Sequence, residues 1–204
     1  MKISIIKYGM GNVASVQKAL NKLGYISLIT NSHDDIRKSD FIILPGVGSF
    51  SVAMDNLNNL GLTSLIKKQV ISDKKPFLGI CLGMQLMATF GNEPSKIKGL
   101  DLIAGEVVKI NSEQKLRVPH LGWNNVCSCR HKQFYQEFNE LDYYFIHSYH
   151  FVPKHQEDIV LTTEYGETIV AAIQRDNIYG TQFHPEKSQE AGMKLLKNII
   201  DQYA

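Results

Sequence analysis

The sequence predicts an α/β fold: an open, mostly parallel sheet flanked by helices, with an antiparallel extension in the C-terminal half. Three observations predict it. Residues 41–44 and 77–80 are short runs with no polar side chain, as strands buried on both faces are. The stretches between such runs carry apolar residues at helical spacing. Beyond about Asn92 that periodicity weakens, and candidate strands follow one another instead.

Taken in order, residues 3–6 form a β-branched first strand that Gly9-Met-Gly11-Asn12 breaks. Val13, Val16, Leu20 and Leu23 then trace a helical stripe, closed by Gly24. Residues 25–29 read as the second strand and 41–44 as the third, which Pro45-Gly-Val-Gly48 ends in a loop. Helical patterns at 51–57 and 62–72 precede the strand at 77–80. In the second half, strands are expected at 105–111, 142–147, 159–164, 169–174 and 178–182, while 118–124 reads as irregular. The last helix puts Met193, Leu195, Leu196, Ile199 and Ile200 on one face. No repeat or linker divides the chain, so residues 1–204 are expected to form a single domain.

Composition excludes several classes. Hydrophobic residues at 44% and charged ones at 21% fit a globular protein rather than a disordered one. A net charge of +2 is too small to argue for nucleic acid. No apolar run approaches the roughly 20 residues that cross a bilayer, and the N-terminal residues lack a signal-peptide pattern. Three cysteines do not make a disulfide framework, so the cytoplasm is the expected compartment.

The chemistry centres on Gly79-Ile-Cys81-Leu-Gly83, a G-x-nucleophile-x-G turn with sulfur at its apex. Such a turn runs from strand into helix, and both glycines make room for the neighbouring backbone. It sets Cys81 at a helix start, where partial positive charge favours a thiolate. A buried, inert cysteine is the plainer alternative. A cysteine nucleophile needs a base and a group to orient that base. Among seven histidines, His184 stands out in Phe183-His184-Pro185-Glu186, because residues two apart in extended chain share a side and Glu186 then reaches the ring. On the tripeptide alone, a surface His and Glu near a turn remains the alternative. An oxyanion hole would draw on the Leu82 N–H and on Pro45-Gly-Val-Gly48. His-x-Glu also opens the zinc deaminase signature, but no Pro-Cys-x-x-Cys follows it. Cys127-Ser-Cys129, with only His131 nearby, lacks the spacing of a metal site, and no metal is expected.

With these residues assembled, the chain resembles the class I glutamine amidotransferases. Gly79-Ile-Cys81-Leu-Gly-Met-Gln85, Pro45-Gly-Val-Gly48 and His184-Pro-Glu186 are each similar to a family block, in family order. Tyr8-Gly-Met-Gly-Asn12, Val118-Pro-His-Leu-Gly-Trp-Asn124, Tyr144-Phe-Ile-His-Ser-Tyr149 and Gln182-Phe-His-Pro-Glu-Lys-Ser188 are similar to the glutaminase subunits of imidazole glycerol phosphate synthase. The resemblance implies that Cys81 attacks the glutamine side-chain amide, with His184 as base and then acid and Glu186 orienting it. It implies the Val47 amide, able to flip, as second oxyanion donor, and Gly48, Gln85, His147, Ser148 and Tyr149 as the residues holding glutamine. It further implies a heterodimer with a (β/α)₈ synthase that receives the ammonia, with Asn12, Trp123 and Lys187 at the interface, and no cofactor.

Two rival readings stay open. A paralogous subunit would supply a sugar-modifying synthase for surface polysaccharide, and Ser148-Tyr-His-Phe151 and Gln189 suit it. Gly9-Met-Gly11-Asn-Val-Ala14 also satisfies the dinucleotide fingerprint of an NAD(P) oxidoreductase, although the second strand ends Ile29-Thr30-Asn31 with no acid for the ribose.

Overall fold

The computed structural model describes residues 1–111, 116–129 and 133–204. In the first half, strands and helices alternate: β1 (Lys2–Ile6), α1 (Val13–Lys22), β2 (Ile26–Thr30), α2 (His33–Lys38), β3 (Phe41–Gly46), α3 (Phe50–Asn59), α4 (Leu62–Lys67), β4 (Phe77–Cys81) and α5 (Leu82–Gln85). Strands then dominate: β5 (Phe90–Asn92), β6 (Lys96–Lys98), β7 (Gly105–Lys109), β8 (His120–Asn125), β9 (Cys127–Ser128), β10 (Asp142–His147), β11 (Tyr149–Pro153), β12 (Ile159–Glu164), β13 (Thr168–Arg175) and β14 (Ile178–Thr181). Helix α6 (Gln189–Asp201) closes the chain.

The main sheet runs β2-β1-β3-β4-β14-β13-β12-β9. Its first five strands are mutually parallel, and β13, β12 and β9 extend it antiparallel, as the change of pattern after Asn92 predicts. Alternate residues of β3 face opposite sides of the sheet. Ile42 and Leu44 pack with Met54, Leu57 and Ile66 of α3 and α4, whereas Phe41 and Ile43 pack with Val16, Leu20, Leu196 and Ile199 of α1 and α6. Each such side chain, fully buried, contributes about 1.5–3 kcal/mol, which is why the central strands need no polar face. Smaller sheets, β11-β7-β5-β6 and β10-β8, flank the carboxyl ends of these strands.

Four expectations change. Helix α2 was not readable from periodicity, since it buries only Ile36; its signals are the Ser32 cap, Asp34 and Asp35 in the first turn and Arg37 and Lys38 in the last. The helix expected over 62–72 is α4 followed by a wider π-type turn over Lys68–Ser72. Strand β3 continues through Pro45 to Gly46, where the ladder pairs Gly46 with Cys81. The stretch expected to be irregular holds β8, paired residue for residue with β10. Its alternation is inverted, with His120 buried and Leu121 and Trp123 exposed, so the usual apolar-in pattern is absent.

Candidate active site

Three adjacent parallel strands bring the predicted chemistry together at their carboxyl ends, where open α/β sheets place their sites. Strand β4 ends in Cys81, β3 beside it ends at Gly46 and passes into Val47 and Gly48, and β14 on the other side leads into His184. Cys81 has φ 54 and ψ −109, outside the regions an L-residue ordinarily occupies. The elbow glycines are required by contact. A Cβ on Gly83 would lie 1.7 Å from the Leu44 carbonyl oxygen, and one on Gly79 would lie 2.6 Å from the Gly83 carbonyl oxygen. The helix that follows is a single turn, so what acts on the sulfur is local amide geometry rather than a long dipole.

His184 Nδ1 lies 2.8 Å from Glu186 Oε1, and both side chains are almost wholly buried. The predicted contact is present, but not through extended chain. Pro185–Lys187 is a 3₁₀ turn started by the proline, closed by the Lys187 N–H to the His184 carbonyl and by the Ser188 hydroxyl donating to that carbonyl at 2.6 Å. Burial would lower the His184 pKa, but the neighbouring Cys81 sulfur and Glu186 carboxylate outweigh it and raise it to about 9. Its Nε2 is buried with no hydrogen-bond partner, the one ring position left open.

Cys81 opens into a cavity of about 460 Å³. Val47, Gly48, Leu82, Gln85, His147, Ser148 and Tyr149, all singled out from the sequence, line it. Gln85 donates through Nε2 to the Tyr149 carbonyl at 2.7 Å and to Gln182 Oε1 at 3.0 Å, so what it keeps for a ligand is its own carbonyl oxygen. Both ring nitrogens of His147 are engaged, Nδ1 with the Tyr149 carbonyl and Nε2 with His120, so what it offers a ligand is its backbone.

A family model described as glutamine amidotransferase class-I matches residues 4–202. The chain belongs to this family. Among curated relatives of this amidotransferase, imidazole glycerol phosphate synthase subunit HisH 1 of Campylobacter jejuni strain RM1221 is 46% identical over 199 residues, covering 97% of this chain and 98% of the relative. Subunit HisH 2 of the same synthase in Methanococcus maripaludis is 45% identical over 201 residues, covering 98% and 99%. A crystal structure of a glutamine amidotransferase superposes with a TM-score of 0.78 at 14% identity, covering 98% of this chain and 97% of that one.

Sequence reasoning missed three residues of the site. Glu93 lines the cavity and accepts from the Phe50 amide at 3.0 Å, yet Asn92-Glu-Pro94 reads as an ordinary surface turn. Gln182 donates to the Cys81 sulfur at 3.7 Å, and His120 backs His147. Of the expected interface residues, Trp123 is 48% exposed and stands edge-on to Tyr144, with Lys187 Nζ 5.8 Å from the same ring. Asn12 is exposed and caps α1 by accepting from the Ser15 amide.

The glycine-rich turn after β1 serves this amidotransferase by close packing. A Cβ on Gly11 would meet Gly46 Cα at 3.0 Å, and of the two acids after β2, Asp35 accepts from the Thr30 hydroxyl while Asp34 pairs with Arg37. Among the described residues no cluster suited to a metal occurs, and no helix is long and apolar enough to cross a membrane. Cys127 and Cys129 carry free thiols; His131 lies outside the described residues.

The histidines set a pH dependence of stability whose sign is fixed. His184, raised in the fold, stabilises fully below its ordinary value of about 6.5, and this is lost as pH rises through about 9. His120 and His147, lowered by burial to about 4 and about 3, resist protonation, so stability falls as pH drops below about 6.5. The melting temperature is expected to peak near pH 6.5, and His184→Gln to flatten the limb between pH 6.5 and 9 while leaving the acid limb. Calorimetry across pH checks this; an unchanged alkaline limb in the variant refutes it.

Proposed function

We propose that this amidotransferase hydrolyses glutamine with a Cys81–His184–Glu186 triad and passes the ammonia to a (β/α)₈ synthase that makes imidazole glycerol phosphate in histidine biosynthesis. The observation that carries the reading is the cavity itself, in which a strained cysteine faces a lining of amide and carbonyl groups beside a buried His–Glu pair. The near full-length similarity to HisH subunits supports the pathway.

Cys81 Sγ, as the thiolate whose proton His184 has taken, attacks the side-chain carbonyl carbon of glutamine, and the developing oxyanion is held by the amides of Leu82 and, after its peptide turns, Val47. His184, protonated at neutral pH, already carries the proton that the departing nitrogen needs. Collapse breaks the C–N bond, releases ammonia and leaves a γ-glutamyl thioester. Water, deprotonated by His184, then cleaves the thioester to glutamate and free thiol. Glu186 keeps the imidazole oriented throughout. Gly48, Gln85, Ser148 and Tyr149 hold the amino-acid end of glutamine, and the Glu93 carboxylate suits its ammonium group. The ring of His147 braces the wall, and its backbone lines the cavity beside theirs.

The synthase surface is the ribbon of β8 and β10, whose outer face carries Leu121, Trp123, Tyr144 and Ile146, with Lys187 over the Tyr144 ring. An exposed tryptophan amid aliphatic side chains is the composition of an interface anchor. Ammonia delivered there avoids water, where it would be protonated and lose its nucleophilicity.

A diazoketone analogue of glutamine, added to the chain with its synthase partner, is expected to add its mass at Cys81, with excess glutamine protecting. No added mass in the complex would overturn the glutaminase reading. Pull-down against a histidine-pathway cyclase and a sugar-modifying (β/α)₈ synthase decides the acceptor; capture of the second alone would assign the paralogous role.

A further inference from the structure

A buried row of hydrogen bonds links strand β8 to the nucleophile, and its proton positions follow from its ends. The Tyr149 carbonyl only accepts, so His147 Nδ1, 2.9 Å away, carries a proton. His147 is held neutral by burial, which leaves its Nε2 as acceptor. His120 Nδ1, 3.0 Å from that nitrogen, therefore donates. His120, neutral for the same reason, accepts at Nε2 from Asn124 Nδ2 at 3.3 Å. Beyond the Tyr149 carbonyl, Gln85 donates to it and to Gln182 Oε1, and Gln182 Nε2 donates to Cys81 Sγ. Each link has one donor and one acceptor. Protonating either histidine would set two N–H groups against each other.

His120 is also fixed sterically. Its ring is stacked between Phe145, with centroids 4.6 Å apart, and Tyr165, at 4.0 Å. Tyr165 donates its hydroxyl to the Arg117 carbonyl at 2.7 Å. The titratable neighbours acting on His147 are His120, His150 and His184. The row begins one residue from the exposed Trp123, on the opposite face of β8.

We infer that His120 is a positioning residue of the glutaminase site. By donating to His147 it fixes the Tyr149 carbonyl, and through that carbonyl the two glutamines that hold the Cys81 sulfur and the wall of the cavity. This rests on the glutaminase reading given above.

The tautomers test the row without any turnover. Long-range ¹⁵N–¹H correlation spectra at pH 7 are expected to show both His120 and His147 neutral with the proton on Nδ1, the minor tautomer of free histidine. An Nε2–H form at either ring overturns the proposal. In the complex with the synthase, His120→Phe keeps the stack but removes the donor. It is expected to raise the glutamine KM about tenfold, the fold-change of one lost hydrogen bond, with kcat within about threefold. His120→Asn, which retains an N–H, is expected to restore most of the affinity. An unchanged KM in His120→Phe, or no rescue by His120→Asn, refutes the positioning role. Wild-type complex that turns over no glutamine would instead refute the glutaminase reading, with the tautomers still deciding the row.

Discussion

Replacing Cys81 with alanine is expected to abolish glutamine-dependent synthesis by the complex, a loss of at least about 10³-fold, while synthesis from added ammonium stays within about twofold of wild type. The split follows from where Cys81 sits. Its sulfur is the cavity nucleophile proposed to attack, next to the buried His184–Glu186 pair, so removing it removes the covalent step. Ammonium enters after that step and needs only an assembled complex. The substitution deletes one sulfur at a residue that is 4% exposed, so the fold tolerates it better than loss of a large side chain. His184→Ala is expected to show the same split, and the double variant to be no worse than either single one, because members of a triad act as a unit. Glutamine- and ammonium-driven rates measured on the same preparation check this. Loss of both activities would mean that Cys81 holds structure rather than performs chemistry.

The parts of the site that were legible in the sequence are those whose chemistry is local. The elbow needs two glycines at fixed spacing around Cys81, and His184 and Glu186 are separated by one proline, so short patterns carry both. The geometry behind the second pattern was not legible. His184 and Glu186 meet across a 3₁₀ turn, whose closure depends on the Ser188 hydroxyl reaching back, whereas extended spacing suggested the same pair for a different reason. Parallel strands were legible because two-sided burial leaves them without polar residues. Strand β8 was not, because it buries His120 and half-buries Asn124 while exposing Leu121 and Trp123, the inverse of a core strand. Both faces of that inversion enter the proposals. The outer one is the proposed docking ribbon, and the inner one carries the hydrogen-bonded row. Glu93, His120 and Gln182 escaped for a related cause: each acts through a partner 27 to 101 residues distant, and no local spacing encodes such a pair. Local conflict between pattern and fold thus coincides with the site, as sequences under functional constraint are expected to behave.

The largest effect on stability is expected at Gly83. A Cβ there would sit 1.7 Å from the carbonyl oxygen of Leu44 and 2.8 Å from its carbonyl carbon, both backbone atoms of a central strand. Neither can yield without moving β3, whose ladder sets Gly46 beside Cys81. Gly83→Ala is therefore expected to cost about 4 kcal/mol or more, at the upper end of single substitutions. Gly24→Ala separates this contact from backbone strain. Gly24 has φ +85 but nothing within 4 Å of an added Cβ, so its cost is the conformational one alone, about 1–2 kcal/mol. Denaturant titration of the two variants measures the difference. If Gly83→Ala proved no more costly than Gly24→Ala, strand β3 and the elbow would have room to separate. The close approach of β3 to the elbow would then not be what holds Cys81 in its strained backbone conformation.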